Sequence, residues 1–309
     1  MKKKVFIDGS VGTTGLRIFE RLEGRDDVEL LTLSEEKRKD PLARKEMLNA
    51  ADVAFLCLPD DAARESVALL DNPNTVIIDA STAHRTLPDW AYGFPELGEA
   101  FENKLLSSKR IAVPGCHASG FIALVYPLIE AGILPANTLL TCHSITGYSG
   151  GGKGMIKGYQ DETRSPLLDA PRQYGLTQQH KHLKEMKAIT GVETAPIFCP
   201  IVADFYSGMM VTVPLFTSQF EGGMAAIKEV YAKKYTGEIV RFEESVDEAG
   251  FISGATLSKQ DGMVITVTGN EERVLLIACY DNLGKGASGA AIECMNMVIG
   301  AERTKGLVL

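Results

Sequence analysis

Over its 309 residues the chain has no apolar run approaching the roughly 18–20 residues that a membrane span needs. It passes from MKKKVFIDGS straight into a strand and a glycine loop, and a cytoplasmic location is expected. Six cysteines, at positions 57, 116, 142, 199, 279 and 294, stand singly, with no CxxC pair and no histidine at zinc-finger spacing. That spacing argues against a disulfide framework or a structural metal and leaves reduced thiols. Basic charge is short as well: a net charge of −8 argues against a nucleic-acid surface. No internal repeat and no low-complexity tract is present.

What is there is an ordinary globular composition, 45% hydrophobic and 23% charged, in a chain longer than one core usually serves. The first third alternates β-rich runs (Val5–Asp8, Val28–Leu33, Val53–Leu58, Thr75–Asp79, Ile111–Val113) with helical stretches such as Asp60–Leu70, which predicts a parallel sheet. Ser34–Ala51 is charged and reads as surface. After Gly120 longer strands follow (Thr138–Ile145, Met209–Pro214, Met263–Thr268, Arg273–Tyr280) and predict an antiparallel sheet with helices near Thr177–Ile189 and Gly223–Lys234. The tail GKGASGAAIECMNMVIG has helical spacing and can pack back on the first domain.

Directly after the first strand comes Gly9-Ser10-Val11-Gly12-Thr13-Thr14-Gly15, then the helical LRIFERL. Strand, glycine turn and helix in that order form a dinucleotide cradle, with the pyrophosphate on the helix N-terminus. The second strand lacks the terminal acid that would hold an NAD ribose and ends instead at Ser34, followed by Glu35, Glu36, Lys37 and Arg38. A hydroxyl with Lys37 and Arg38 suits a 2′-phosphate and favours NADP(H), although Glu35 or Glu36 can reach the ribose if the strand runs a residue longer. Lys37 and Arg38 also suit a merely solvated face.

Cys116 lies in PGCHASG, between the strand ending at Val113 and a helical run over 121–130. Helix-end amides favour the thiolate, the nucleophilic form of sulfur, and the competing reading is a small buried hydrophobe. A thiol and a nicotinamide together point to aldehyde-level oxidoreduction through a thioester, which also needs a proton-exchanging group. Of His84, His117, His143, His180 and His182, only the last two lie in a polar stretch, QQHKHLKEM, that opens a helix. His180 or His182 is therefore the expected acid/base, and position alone does not choose between them. The glycine-rich stretch over 146–154 offers amides to an anion or forms a mobile loop.

Taken together, GSVGTTG, IIDASTAHR (77–85), YGFPEL (92–97), VPGCHASG (113–120), HSITGYSGGGKGMI (143–156), HKHLKE (180–185) and DNLGKGASGAA (281–291) resemble the short-form N-acetyl-γ-glutamyl-phosphate reductases of arginine biosynthesis over essentially the whole chain. Related glyceraldehyde-3-phosphate dehydrogenases carry a motif resembling SCTTNC where this chain has GCHASG. The resemblance implies a Rossmann-type doubly wound parallel sheet with a second α+β domain, residues 1–115 and 284–309 binding NADP(H) and 116–283 serving substrate and oligomerisation. It implies Cys116 as nucleophile and His180 as acid/base, with His182 a neighbour; Asn282 and Gly284 join the cofactor residues. Arg85, Ser149, Gly150, Tyr174 and Glu185 are implied to line the substrate site, with Arg85 facing the acyl phosphate and Glu185 orienting groups near the histidine. Longer members resemble an arginine-glycine pair before the strand near Met209, where this chain has Tyr206-Ser207-Gly208, so Lys153 or Lys157 becomes the candidate for the substrate carboxylate.

The implied reaction is attack of Cys116 on the acyl phosphate of N-acetyl-glutamyl 5-phosphate, loss of phosphate, hydride reduction of the thioester and release of the semialdehyde, in a homodimer or homotetramer. A different acyl phosphate (aspartyl, or carrier-linked aminoadipyl or glutamyl) and a nucleotide-binding redox sensor using Cys116 are the alternatives.

Overall fold

The computed structural model describes residues 2–309, which form two compact units. The first runs to Pro95 and adds Glu99–Pro114 and Ala287–Val308; the second comprises Glu96–Gly98, Gly115–Gly286 and Leu309.

The first unit contains β1 (Lys3–Asp8), α1 (Thr13–Leu22), β2 (Val28–Leu31), α2 (Pro41–Ala50), β3 (Val53–Leu56), α3 (Asp60–Ala68), β4 (Val76–Asp79), β5 (Ala91–Tyr92), α4 (Glu99–Ser107) and β6 (Arg110–Ala112). Its six strands are all parallel, in the order β2-β1-β3-β4-β6-β5. The chain steps from β1 to β2 on one side and then to β3 on the other, so the C-terminal ends of β1 and β3 form the switch point at which such sheets bind ligands. Alternation sorts the strand side chains to two covered faces. Val5, Ile7, Val53, Phe55 and Ile78 pack with Ile18 and Leu22 of α1, while Phe6, Ala54, Leu56 and Ile77 pack with Leu48 of α2 and Ala63 of α3.

The charged stretch before β3 is more ordered than its composition suggests. Asp40 caps α2 by accepting from the Leu42 amide at 3.0 Å, Pro41 supplies the preset φ of a first helical residue, and Ala43, Arg44 and Leu48 are buried.

The second unit contains α5 (Cys116–Glu130), β7 (Thr141–Gly147), α6 (Gly152–Gln160), β8 (Arg172–Gln173), α7 (His182–Thr190), β9 (Ile197–Ala203), β10 (Met209–Phe216), α8 (Gly223–Lys234), β11 (Val240–Phe242), β12 (Met263–Gly269) and β13 (Arg273–Tyr280). The seven strands take the order β11-β12-β13-β10-β7-β9-β8. The sheet is mixed rather than purely antiparallel, because β7 pairs with β9 and β11 with β12 in parallel. Between β7 and β9 the chain inserts α6, β8 and α7, the long crossover that parallel pairing requires. Helices cover one face of this sheet; Tyr231 of α8 and Tyr235, which caps its C-terminus, donate their hydroxyls to the Leu124 and Ala123 carbonyls of α5. The chain then returns to the first unit as α9 (Gly289–Ile299), whose Ile292 and Met295 join the cluster around α1. No helix of the described residues is long and apolar enough to cross a membrane.

Candidate active site

In the first unit the glycine loop is built by close approach. Gly9 has φ +87°, and a Cβ there would stand 2.4 Å from the Cys57 carbonyl oxygen at the end of β3. A Cβ on Gly15 would stand 2.4 Å from the Gly9 oxygen, so α1 starts against its own loop. Gly12, the N-cap of α1, has no side chain to cap the helix, and a helix start of this kind can offer its first amides, at Thr13 and Thr14, to an anion such as a pyrophosphate. A cavity of about 380 Å³ opens beside Gly9, Ser10 and Val11, bounded by Leu33, Arg38 and Lys39. These features fit a dinucleotide.

The basic side chains at the far end differ from expectation by one position. Lys37 donates its amide to the Ser34 carbonyl at 3.0 Å, and the turn this closes leaves Arg38 and Lys39, not Lys37, against the cavity. Glu35 also borders it, and Arg38 donates to Glu35 Oε1 at 2.6 Å. Arg85 is buried, with Nε 2.8 Å from the Val113 oxygen and Nη2 3.0 Å from the Ala80 oxygen; two backbone carbonyls hold the cation in place.

In the second unit Cys116 is half-buried at the first residue of α5, with Gly115 as N-cap. Its thiol therefore sits at the positive end of the helix. Tyr280 Oη donates to the Cys116 carbonyl at 2.5 Å and accepts from the Gly120 amide at 3.0 Å, so one hydroxyl stands between the two ends of an i, i+4 helical pair and fixes the first turn. Glu185, expected among substrate-lining groups, is buried on α7 and accepts from the Gly115 amide at 2.7 Å. The carboxylate ties α7 to the N-terminus of α5.

Around this helix start lies an aromatic cluster. His117 stands 5.8 Å from His180, 5.6 Å from His182 and 6.0 Å from Tyr174 between ring centres, with Phe198 beneath at 5.3 Å. His180 precedes α7 rather than lying inside it. Gln178 takes φ +55° and clamps the Phe198 backbone, Nε2 to O at 2.8 Å and N to Oε1 at 2.9 Å, which holds the chain out of helix until Lys181. His180 Nδ1 then accepts from the His182 amide at 3.3 Å. Burial, and secondarily the Lys181 charge, lower the His180 pKa, so the ring rests neutral with its proton on Nε2.

His117 carries little signal in the sequence because it sits in an apolar helix; its position next to Cys116 is the one available. It is fully enclosed, Nδ1 2.6 Å from Ser144 Oγ and Nε2 2.5 Å from the Tyr174 hydroxyl. Burial, then the nearby His180, bring its pKa from 6.5 down to about 3. An unfolded chain binds a proton there that the folded chain refuses, so this contribution to stability is complete above pH 6.5 and is lost as pH falls toward 3. Urea midpoints of His117→Gln measured across that range should show a shallower pH slope than the parent, by up to about one proton; an unchanged slope contradicts the assignment.

Ser149 and Gly150 lie in the turn after β7, where the Tyr148 and Ser149 amides bond to the Phe205 and Tyr206 carbonyls at 2.9 Å. Asn282 spends its amide inside the same unit, Nδ2 to Ser149 Oγ at 3.0 Å and Oδ1 accepting from Gly208 N at 2.9 Å. Gly284 donates its amide to Asp281 Oδ1 at 2.8 Å. Both residues thus have structural duties of their own. Lys153 and Lys157 are exposed on α6. No group of three or more His, Cys, Asp or Glu placed to hold a metal occurs among the described residues.

Comparison with known proteins gives a consistent picture. Residues 4–104 match the family model "Semialdehyde dehydrogenase, NAD binding domain" and residues 116–282 match "Semialdehyde dehydrogenase, dimerisation domain". The chain is 45% identical to the N-acetyl-gamma-glutamyl-phosphate reductase of Sinorhizobium medicae, covering 97% of this chain and 100% of that one, and equally to that of Brucella ovis. Among solved structures, aspartate semialdehyde dehydrogenase II of Vibrio cholerae superposes with a TM-score of 0.73 at 15% identity over 97% of this chain and 99% of its own. The Candida albicans aspartate semialdehyde dehydrogenase with NADP gives 0.69 at 14% over 96% and 99%. At such identity these structures speak to fold alone.

Proposed function

The chain belongs to the N-acetyl-γ-glutamyl-phosphate reductase family of the semialdehyde dehydrogenases, and from that premise we propose that it reduces N-acetyl-L-glutamyl 5-phosphate to N-acetyl-L-glutamate 5-semialdehyde and phosphate, with NADPH, in arginine biosynthesis in the cytoplasm. The observation that carries this reading is the thiol of Cys116 at the start of α5 in the same unit as the His180 and Tyr174 cluster.

Acylation comes first. The Cys116 thiolate attacks the acyl carbon, the carbonyl electrons move to oxygen, and they return as the bond to phosphate breaks. The overall reaction consumes one proton, which ends on the released phosphate. When bound in the glycine-loop cradle, the reduced dinucleotide supplies a hydride. His180 presents Nε2–H and shares that proton with the thiohemiacetal oxygen until the carbonyl re-forms and Cys116 leaves as thiolate. Arg38 and Lys39 at the cavity support NADP(H) over NAD(H), since a 2′-phosphate pairs with cations.

His180→Asn is expected to form the acyl-enzyme on Cys116 yet turn over about 10²–10³-fold more slowly. Mass spectrometry without nucleotide checks this, and a variant that forms no adduct contradicts the division of labour. A homodimer or homotetramer is supported by the sheet face opposite the helices, where Ile145, Ile197, Ile201, Pro214, Phe216 and Leu275 lie on one side in register and remain partly or largely exposed. The function itself is tested by following nucleotide oxidation with N-acetyl-glutamyl phosphate beside aspartyl phosphate, each with NADPH and NADH. Preference for N-acetyl-glutamyl phosphate with NADPH supports the reading; faster turnover of aspartyl phosphate overturns it.

A further inference from the structure

Ser144, His117 and Tyr174 form a hydrogen-bonded chain whose direction follows from counting protons. Ser144 is fully buried on β7, and among the described residues its hydroxyl has one partner, His117 Nδ1 at 2.6 Å. A buried hydroxyl proton is costly to leave unpaired, so Ser144 donates and Nδ1 accepts. His117 stays neutral above about pH 3, which places its single ring proton on Nε2. That proton is donated to the Tyr174 oxygen 2.5 Å away.

Tyr174 therefore receives a hydrogen bond on its oxygen, and its own proton is directed elsewhere. The side chain is only half-buried, and its ring centre lies 6.1 Å from that of His180. Burial, followed by the nearby Cys116 sulfur, raises the phenol pKa, so the group is a donor throughout the neutral range. A donor polarised from behind by an N–H is stronger than an isolated one.

We propose that Tyr174 donates a hydrogen bond to the acyl oxygen that becomes negative at Cys116, and that Ser144 and His117 are positioning residues that turn this hydroxyl toward the site. The proposal rests on Cys116 being the nucleophile. Tyr174 is then a catalytic residue acting in both half-reactions, since each passes through an oxyanion on the same carbon. No proton leaves the chain of three; the hydroxyl stabilises charge as it develops.

The test reads acylation of Cys116 by N-acetyl-glutamyl phosphate without nucleotide, by rapid quench and mass spectrometry, beside steady-state kcat and KM. Tyr174→Phe should slow acylation and kcat by about 10²-fold with KM nearly unchanged. Ser144→Ala should slow both by about tenfold, and Ser144→Thr, which keeps the hydroxyl, should restore them. The double variant Ser144→Ala, Tyr174→Phe should be no slower than Tyr174→Phe alone, because Ser144 acts only through the phenol. Multiplying losses in the double variant, or a full acylation rate in Tyr174→Phe, overturns the proposal. Cys116→Ser run in parallel separates the two claims. If it still turns over, the nucleophile assignment fails and this proposal with it; if it is inactive while Tyr174→Phe acylates at the full rate, only this proposal fails.

Discussion

Cys116→Ser is expected to lose at least about 10⁴-fold in reductase turnover while binding NADPH as before. The reason is the nucleophile's ionisation. A thiol at a helix N-terminus reaches the thiolate near neutral pH, whereas a serine hydroxyl in the same place needs a strong base, and His180 is a neutral ring whose Nδ1 is already engaged by the His182 amide. The substitution leaves the local frame intact, because Tyr280 holds the first turn of α5 through the Cys116 backbone carbonyl and not through the side chain. The glycine loop that cradles the dinucleotide belongs to the first unit and is unchanged. Steady-state rates with N-acetyl-glutamyl phosphate and NADPH titration by fluorescence give the two readouts. Turnover near the parent rate contradicts the covalent mechanism.

Gly15→Ala is the complementary loss, striking the hydride source and sparing the thioester. The added methyl would lie 2.4 Å from the Gly9 oxygen and 2.9 Å from Ser10 Cα, both backbone atoms that cannot swing aside. Nor can the loop retreat, since Gly9 already meets the Cys57 carbonyl. Helix α1 must move outward, and the amides of Thr13 and Thr14 move with it. Overpacking of this kind costs about 1–3 kcal/mol, which in binding corresponds to about 5- to 150-fold in affinity. NADPH affinity is therefore expected to fall by roughly tenfold or more, while acylation of Cys116 in the absence of nucleotide stays within about twofold. Parent-like NADPH affinity would show that the loop is not the cradle.

The parts legible in the sequence were those whose signal is local. The stretch from Gly9 follows β1 and runs into the first turn of α1, and Cys116 follows β6 and opens α5, so pattern alone locates both against their elements. The parallel sheet was legible because strands buried on two faces read as continuous apolar runs. What escaped depends on contacts distant in sequence. Ser144 joins His117 only when β7 is covered by α5, and Tyr174 reaches His117 across a separation of 57 residues. Strand β9 carries Pro200 and two residues of low strand signal, Cys199 and Ala203, and is held by pairing with β7. Lys285 is fully buried with its ammonium 2.7 Å from Glu96 Oε1, a pairing across 189 residues that no window of sequence displays. Asp40-Pro41, by contrast, was a readable start signal for α2, hidden by the charged residues around it.

The central claim is that Cys116 becomes an acyl thioester before any reduction takes place. The direct measurement is intact-protein and peptide mass spectrometry after mixing the enzyme with N-acetyl-glutamyl phosphate in the absence of nucleotide, quenched in acid. The account predicts one N-acetyl-glutamyl mass increment on the peptide that contains Cys116, absent from Cys116→Ser and discharged when NADPH is added. Turnover without an adduct, or an adduct on any other residue, would contradict it.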